Sequence, residues 1–101
     1  MGNTTLSLKE NKEVAWIEVN GRFNFQIEEE FNGLFELISN KKGVTFDFND
    51  CEYIDSSGIR MLVRLAKARA SNSERIKVIN CNNIVKDVFS IANLSILLDV
   101  C

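Results

Sequence analysis

Leu6 and Leu8 fall on one side of an alternating run from Thr5 to Leu8, and Ala15, Ile17 and Val19 fall on one side of a second run from Glu13 to Val19. A period of two predicts half-buried strands, and the polar stretch Lys9 to Lys12 between them predicts a hairpin. After Asn20-Gly21 the period changes. Ile27, Phe31, Leu34, Phe35 and Ile38 recur at i, i+4, i+7, i+8 and i+11, which predicts a helix from Phe25 to Asn40 with Asn24 as its cap and Phe25 in the core. Glu28, Glu29 and Glu30 open that helix and Lys41-Lys42-Gly43 closes it, the charge order favoured by the helix dipole and a glycine stop.

The β-branched and aromatic run Val44 to Phe48 predicts a strand, and Asn49 to Tyr53 reads as a polar link into Ile54 and Asp55. From Ser56 to about Ala70 the positions Ile59, Leu62, Val63, Ala66 and Ala70 predict a second amphipathic helix with Arg60, Arg64 and Lys67 on its other side. Ser71 to Arg75 breaks that helix. Ile76 to Cys81 predicts a strand, Ile84, Val85, Val88, Phe89 and Ala92 a third helix, and Ile96 to Val100 a last short strand. Helix-strand repeats joined by right-handed crossovers predict one mixed α/β sheet of four to five strands with helices packed against it, over a single domain spanning 1–101.

Composition narrows the chemistry. The chain has 101 residues, 46% hydrophobic and 26% charged, enough for one core without metal or disulfide staples. Its formal charge of −2 lacks the excess of Lys and Arg that phosphate neutralisation needs, so nucleic acid is not an expected partner. A histidine count of zero removes Ser-His-Asp triads, Cys-His pairs and imidazole metal sites together, and no cofactor is expected. Cys51, Cys81 and Cys101 form no CxxC pair and make an odd total, which fits neither a disulfide framework nor a zinc ribbon and suggests a reducing compartment. With no basic-then-apolar leader and no apolar run of ~18 residues, a cytoplasmic location without membrane contact is expected.

The distinctive local sequence is Tyr53-Ile54-Asp55-Ser56-Ser57-Gly58-Ile59, where an acid, two hydroxyls and a glycine stand directly before a helix. One reading is capping, with Asp55 or Ser56 accepting from a first-turn N–H. The other starts from the same unpaired N–H groups, which favour negative charge and would order a phosphate on Ser56 or Ser57. A phosphoserine adds about −1.5 to −2 charges. A partner docked over the corner would then meet a hydrated dianion, at a cost of several kcal/mol.

In that setting the chain resembles the STAS domain, and specifically the small stand-alone bacterial anti-sigma factor antagonists. The resemblance rests on the Val44 to Phe48 strand, the Tyr53 to Ile59 corner and the turn Val19-Asn20-Gly21-Arg22-Phe23-Asn24, and covers nearly the whole chain. It implies phosphorylation of Ser56 by a cognate anti-sigma factor serine kinase, with Ser57 as second choice. It also implies binding of the anti-sigma factor by the unmodified form, and resetting by a metal-dependent serine phosphatase. Asn24, Asp55, Ser56, Ser57, Gly58 and Arg60 are the expected partner-binding residues, Gly58 by admitting a partner close to the backbone. Many relatives carry aspartate where this chain has Asn24, and many continue past the position of Cys101 into another helix, so a surface built by that helix is expected to differ here. Relatives occur as monomers or weak dimers.

Three other readings compete. A non-phosphorylated STAS scaffold or small-ligand sensor in a larger signalling assembly needs no kinase. An enzyme would use Ser56 or Cys51 with Asp47, Asp50, Glu52 and Asp55, but nothing is placed to activate a nucleophile, so no enzyme is expected. The Arg60, Arg64 and Lys67 row is either a solvated face or a seat for an acidic partner surface. Trp16 and Phe23 stay open between core and interface.

Overall fold

The computed structural model describes residues 4–69 and 73–100. Along the chain run β1 (Thr5–Glu10), β2 (Val14–Phe23), a 3-10 turn (Phe25–Ile27), α1 (Glu28–Ser39), β3 (Gly43–Asp47), β4 (Cys51–Ile54), α2 (Ser56–Ala68), β5 (Ile76–Ile79), α3 (Asn83–Ile91), a second 3-10 turn (Leu94–Ile96) and β6 (Leu98–Val100). The sheet has six strands in the order β1-β2-β3-β5-β6, with β4 added to β2. β1 and β2 are the antiparallel hairpin, and every later pairing is parallel. Ala70 and the Ser71 and Asn72 of the expected break lie outside the described residues.

Two differences from the sequence expectation set up the functional corner. The first concerns β2, which does not stop at Asn20-Gly21. Gly21, at φ 88°, takes a conformation L side chains rarely adopt, the register shifts between Gly21 and Arg22, and the strand continues to Phe23. The second concerns the polar link, part of which is β4, paired with β2 over Gly21–Phe23. β3 pairs with the first half of β2, a turn closed by Cys51 N–H donating to Phe48 C=O at 2.9 Å follows, and β4 pairs with the second half. Asp47 builds this turn, its Oδ1 accepting from Asn49 N–H at 3.0 Å and Asn80 Nδ2 at 3.1 Å.

The three helices cover one face. Ala15, Ile17, Val19, Val44, Phe46, Ile76, Val78 and Leu98 are buried beneath them, together with Phe31, Ile38, Met61, Leu62, Leu65, Val85 and Phe89 from the helices. The opposite face is bare among the described residues: Lys9, Trp16, Thr45, Lys77 and Asp99 stand side by side across five strands, none of them buried. At the centre Phe23, Phe31, Phe46 and Phe48 pack ring to ring, with centroids 5.7 to 6.4 Å apart, and Phe89 joins from α3. Phe23 is therefore a core residue. Phe25, expected in the core, is 64% exposed instead. Its turn is 3-10 rather than α, with three residues per turn, so the inward position passes to Phe23 and Ile27.

Arginines and asparagines lock the layers. Arg69 donates to the carbonyls of Ile38, Lys42 and Glu74, satisfying the end of α1 and the start of two strands. Burial pushes this guanidinium below its ordinary value. Asn82 caps α3 by accepting from Val85 N–H at 2.8 Å, and its Nδ2 donates to the carbonyls of Cys51 and Glu52, each at 3.2 Å, which fastens α3 to β4. Among the described residues no helix is long and apolar enough to cross a membrane.

Candidate functional site: the β4–α2 corner

β4 ends at Ile54 with its partner Phe23 alongside, and Asp55 N–H donates to Phe23 C=O at 3.2 Å, carrying the β2 contact one residue beyond the strand. Asp55 is extended, at φ −108° and ψ −174°, and its carboxylate accepts from Gly58 N–H at 3.0 Å. Its own carbonyl accepts from Ile59 N–H at 3.0 Å. Asp55 is thus the N-cap of α2, and the capping reading holds for it. Removing the cap by Asp55→Ala is expected to lower stability by about 1–2 kcal/mol in urea unfolding, and Asp55→Asn by less.

With Asp55 engaged, Ser56 occupies the first helical position and is exposed, while Ser57 is half-buried. The N–H groups of Ser56 and Ser57 precede the first intrahelical bond, so they face outward for water or an anion. The hydroxyl at Ser56 stands at the positive end of a 13-residue helix whose only charged side chains are basic. Asn24 approaches the corner through Phe23, but its side chain accepts from Gln26 N–H at 3.0 Å and caps the 3-10 turn. Arg60 is exposed one turn along α2 from Ser56.

Gly58 has a different physical role from the one expected. It is buried, and a Cβ there would lie 2.4 Å from Phe23 O, 2.6 Å from Phe23 Cδ1 and 2.7 Å from Ile54 Cγ1. The missing side chain admits the protein's own β2 strand, so the expectation that it clears space for a visiting backbone is corrected. Arg64 also departs from the basic row: it donates to Asn32 Oδ1 of α1 and lies over the Phe35 ring at 4.8 Å, clasping α1 to α2. Arg60 and Lys67 are the members of the row that make no such contact with α1 among the described residues.

Sequence reasoning passed over part of the corner's surroundings. Tyr53, 43% exposed, stands beside Arg22 in the β2–β4 pairing. Phe25, Arg22, Asn24, Gln26, Thr4 and Glu52 line a depression of about 480 Å³ next to the corner. The signal that could have found it is Phe25, an exposed aromatic ring set between the polar Asn24 and Gln26 shortly after Arg22. The carboxylates weighed for catalysis do not converge: Asp47 holds a turn and Asp55 a cap, and no metal-holding group of acids and thiols exists among the described residues. Cys51 is buried, which pushes its thiol up and away from the thiolate a nucleophile needs.

A sequence model described as "Mlab, STAS domain" matches residues 6–99, so the chain belongs to the STAS-domain family. A STAS-domain containing protein of Pseudomonas aeruginosa (strain UCBPP-PA14) is 27% identical over 94 residues, 92% of either chain. Among solved structures, an anti-sigma factor antagonist from Mycobacterium paratuberculosis superposes with a TM-score of 0.84 at 11% identity, over 97% of this chain and 85% of its own. The unphosphorylated form of SpoIIAA, the Bacillus cell fate determinant, superposes with a TM-score of 0.79 at 15% identity, over 96% and 88%. At these identities the superpositions establish the SpoIIAA-like fold.

Proposed function

We propose that this chain is an anti-sigma factor antagonist whose docking is switched by phosphorylation of Ser56. The observation that carries the reading is the placement of that hydroxyl: exposed at the first position of α2, beside a carboxylate already tied to Gly58 N–H. SpoIIAA, which shares the fold, has been solved in both unphosphorylated and phosphorylated forms. The kinase is the anti-sigma factor itself, and a metal-dependent serine phosphatase restores the free hydroxyl.

The physics of the switch is a difference between fold and interface. A phosphate on Ser56 is drawn by the dipole of α2 and the unpaired first-turn N–H groups, and repelled by Asp55, so the two effects offset within the fold. Against a docked protein nothing offsets it, and a dianion forced into contact costs a hundredfold or more in affinity. Incubation with a cognate anti-sigma factor kinase and ATP is expected to place phosphate on Ser56. Ser56→Ala should bind the kinase within about threefold of the parent. Ser56→Asp and the phosphorylated chain should bind at least a hundredfold more weakly, with little change in melting temperature.

A second reading, a non-phosphorylated scaffold or small-ligand sensor, draws on two features. Asn24 is an uncharged amide whose oxygen is already engaged in capping the 3-10 turn, and the adjoining depression is large enough for a small molecule. No phosphate at Ser56, together with equal affinities for Ser56→Ala and Ser56→Asp, would replace the switch by this reading.

A further inference from the structure

The outer surface of the helix layer is divided by charge. α1 carries Glu28, Glu29, Glu30 and Glu36 and no base, whereas α2 carries Arg60, Arg64 and Lys67 and no acid. On α1, Glu29, Gly33 and Glu36 follow each other at i, i+4 and i+7 along the exposed ridge; on α2, Arg60 and Lys67 are also seven apart and exposed. None of these four charges takes part in an ion pair among the described residues, where the pairs are Lys9–Glu18, Lys41–Glu10 and Arg75–Asp99.

The two ridges are also in register. α1 and α2 follow the parallel strands β2 and β4 and so run in the same direction. Arg64 reaches both Asn32 and Phe35, which sets Glu29 about level with Arg60 and Glu36 about level with Lys67. A two-fold axis parallel to the helices, lying over the groove between them, keeps levels and exchanges the helices. Glu29 of one copy then faces Arg60 of the other, Glu36 faces Lys67, and both pairs are repeated by symmetry. Gly33 lies midway along the acidic ridge with nothing within 4 Å of where its Cβ would be, so the opposing helix can approach closely there.

We infer that the α1/α2 face pairs with a second copy of this chain through these four ion pairs. Two other occupants fit less well. An RNA or an anionic membrane over α2 would lie within about one Debye length, ~8 Å, of the acids on α1, since packed helices are about 8–10 Å apart. A different protein would need both stripes at matching spacing, which the second copy already has. Helices of 12 and 13 residues offer a patch of about 400 Å² per copy, below the usual size of a stable interface, so the pairing is weak and salt-sensitive. The inference does not rest on phosphorylation of Ser56, although Arg60, one turn away on α2, lies close enough to feel a phosphate there.

Sedimentation equilibrium of the full chain should show concentration-dependent dimers at 20 mM NaCl and monomers at 500 mM. Glu29→Lys with Glu36→Lys makes the four facing positions all basic, and Arg60→Glu with Lys67→Glu makes them all acidic; either double variant alone should weaken dimerisation at least tenfold. Mixing the two should restore a 1:1 heterodimer at low salt, a gain that damage to folding cannot produce. A parent chain that is monomeric at both salt concentrations overturns the inference. So does a dimer that both double variants leave intact, or a mixture that stays monomeric.

Discussion

Replacing Phe23 by alanine is expected to lower the free energy of unfolding by about 3–5 kcal/mol, read as a lower urea midpoint at unchanged slope. The ring is fully buried and meets Phe31, Phe46 and Phe48 at centroid distances of 6.1, 6.2 and 5.7 Å, so truncation removes apolar burial and leaves a cavity among three rings that cannot all shift inward. For a domain of this size the loss is a large share of the total stability, commonly about 5–15 kcal/mol. Phe23→Leu keeps most of the volume and should cost about 1–2 kcal/mol. A loss below 1 kcal/mol for the alanine variant would remove Phe23 from the centre of the core.

Gly58→Ala should cost about 3 kcal/mol or more, from the addition of one methyl group. Overpacking commonly costs 1–3 kcal/mol where side chains can turn aside. Here the nearest atom, at 2.4 Å, is the Phe23 carbonyl oxygen, and that strand is held by its β4 partners and by Asp55 N–H. Relief requires α2 to lift from β2, which takes the Asp55 cap and Ser56 with it. The two substitutions should therefore be coupled. Phe23→Ala removes the ring carbon at 2.6 Å but leaves the carbonyl, so the double variant should lose less than the summed singles by about 1 kcal/mol. Ser57→Ala next door should change stability by no more than about 0.5 kcal/mol, which separates the clash from a general sensitivity of the turn.

The helices and the main strands were legible because their burial has a period. Phe31 and Ile38 in α1 with Ile27 just before it, Val85 and Phe89 in α3, and Ala15, Ile17 and Val19 in β2 are buried as their spacing predicts. β4 was not legible, since four residues with buried ends and an exposed Glu52-Tyr53 middle have no alternation to detect. In α2 the stripe was drawn slightly rotated: Ile59, Val63 and Ala66 flank the core, while Met61 and Leu65 fill it. Asn20-Gly21 carries a turn signature that a bulge used instead, because pairing with β4 rewards continuing the strand.

At the corner, the Asp-Ser-Ser-Gly order marked the junction between strand and helix, and the cap at Asp55 follows from residue type alone. The role of Gly58 does not. It depends on which strand passes beneath the helix, a contact 35 positions away along the chain that no local pattern encodes. Arg64 is a similar case. A row at i, i+4 and i+7 marks three residues as equivalent, and only the position of α1 sets the middle one apart.

The bare face of the sheet has a practical corollary. The chain's single tryptophan, Trp16, lies on that face, 40% exposed, with the whole thickness of the sheet between it and the helices. Its fluorescence will therefore be red-shifted and open to collisional quenchers in the native state. It will register loss of the β2–β3 pairing, yet stay blind to a visitor on the far side, giving experimenters an optical gauge of folding that leaves docking to other probes.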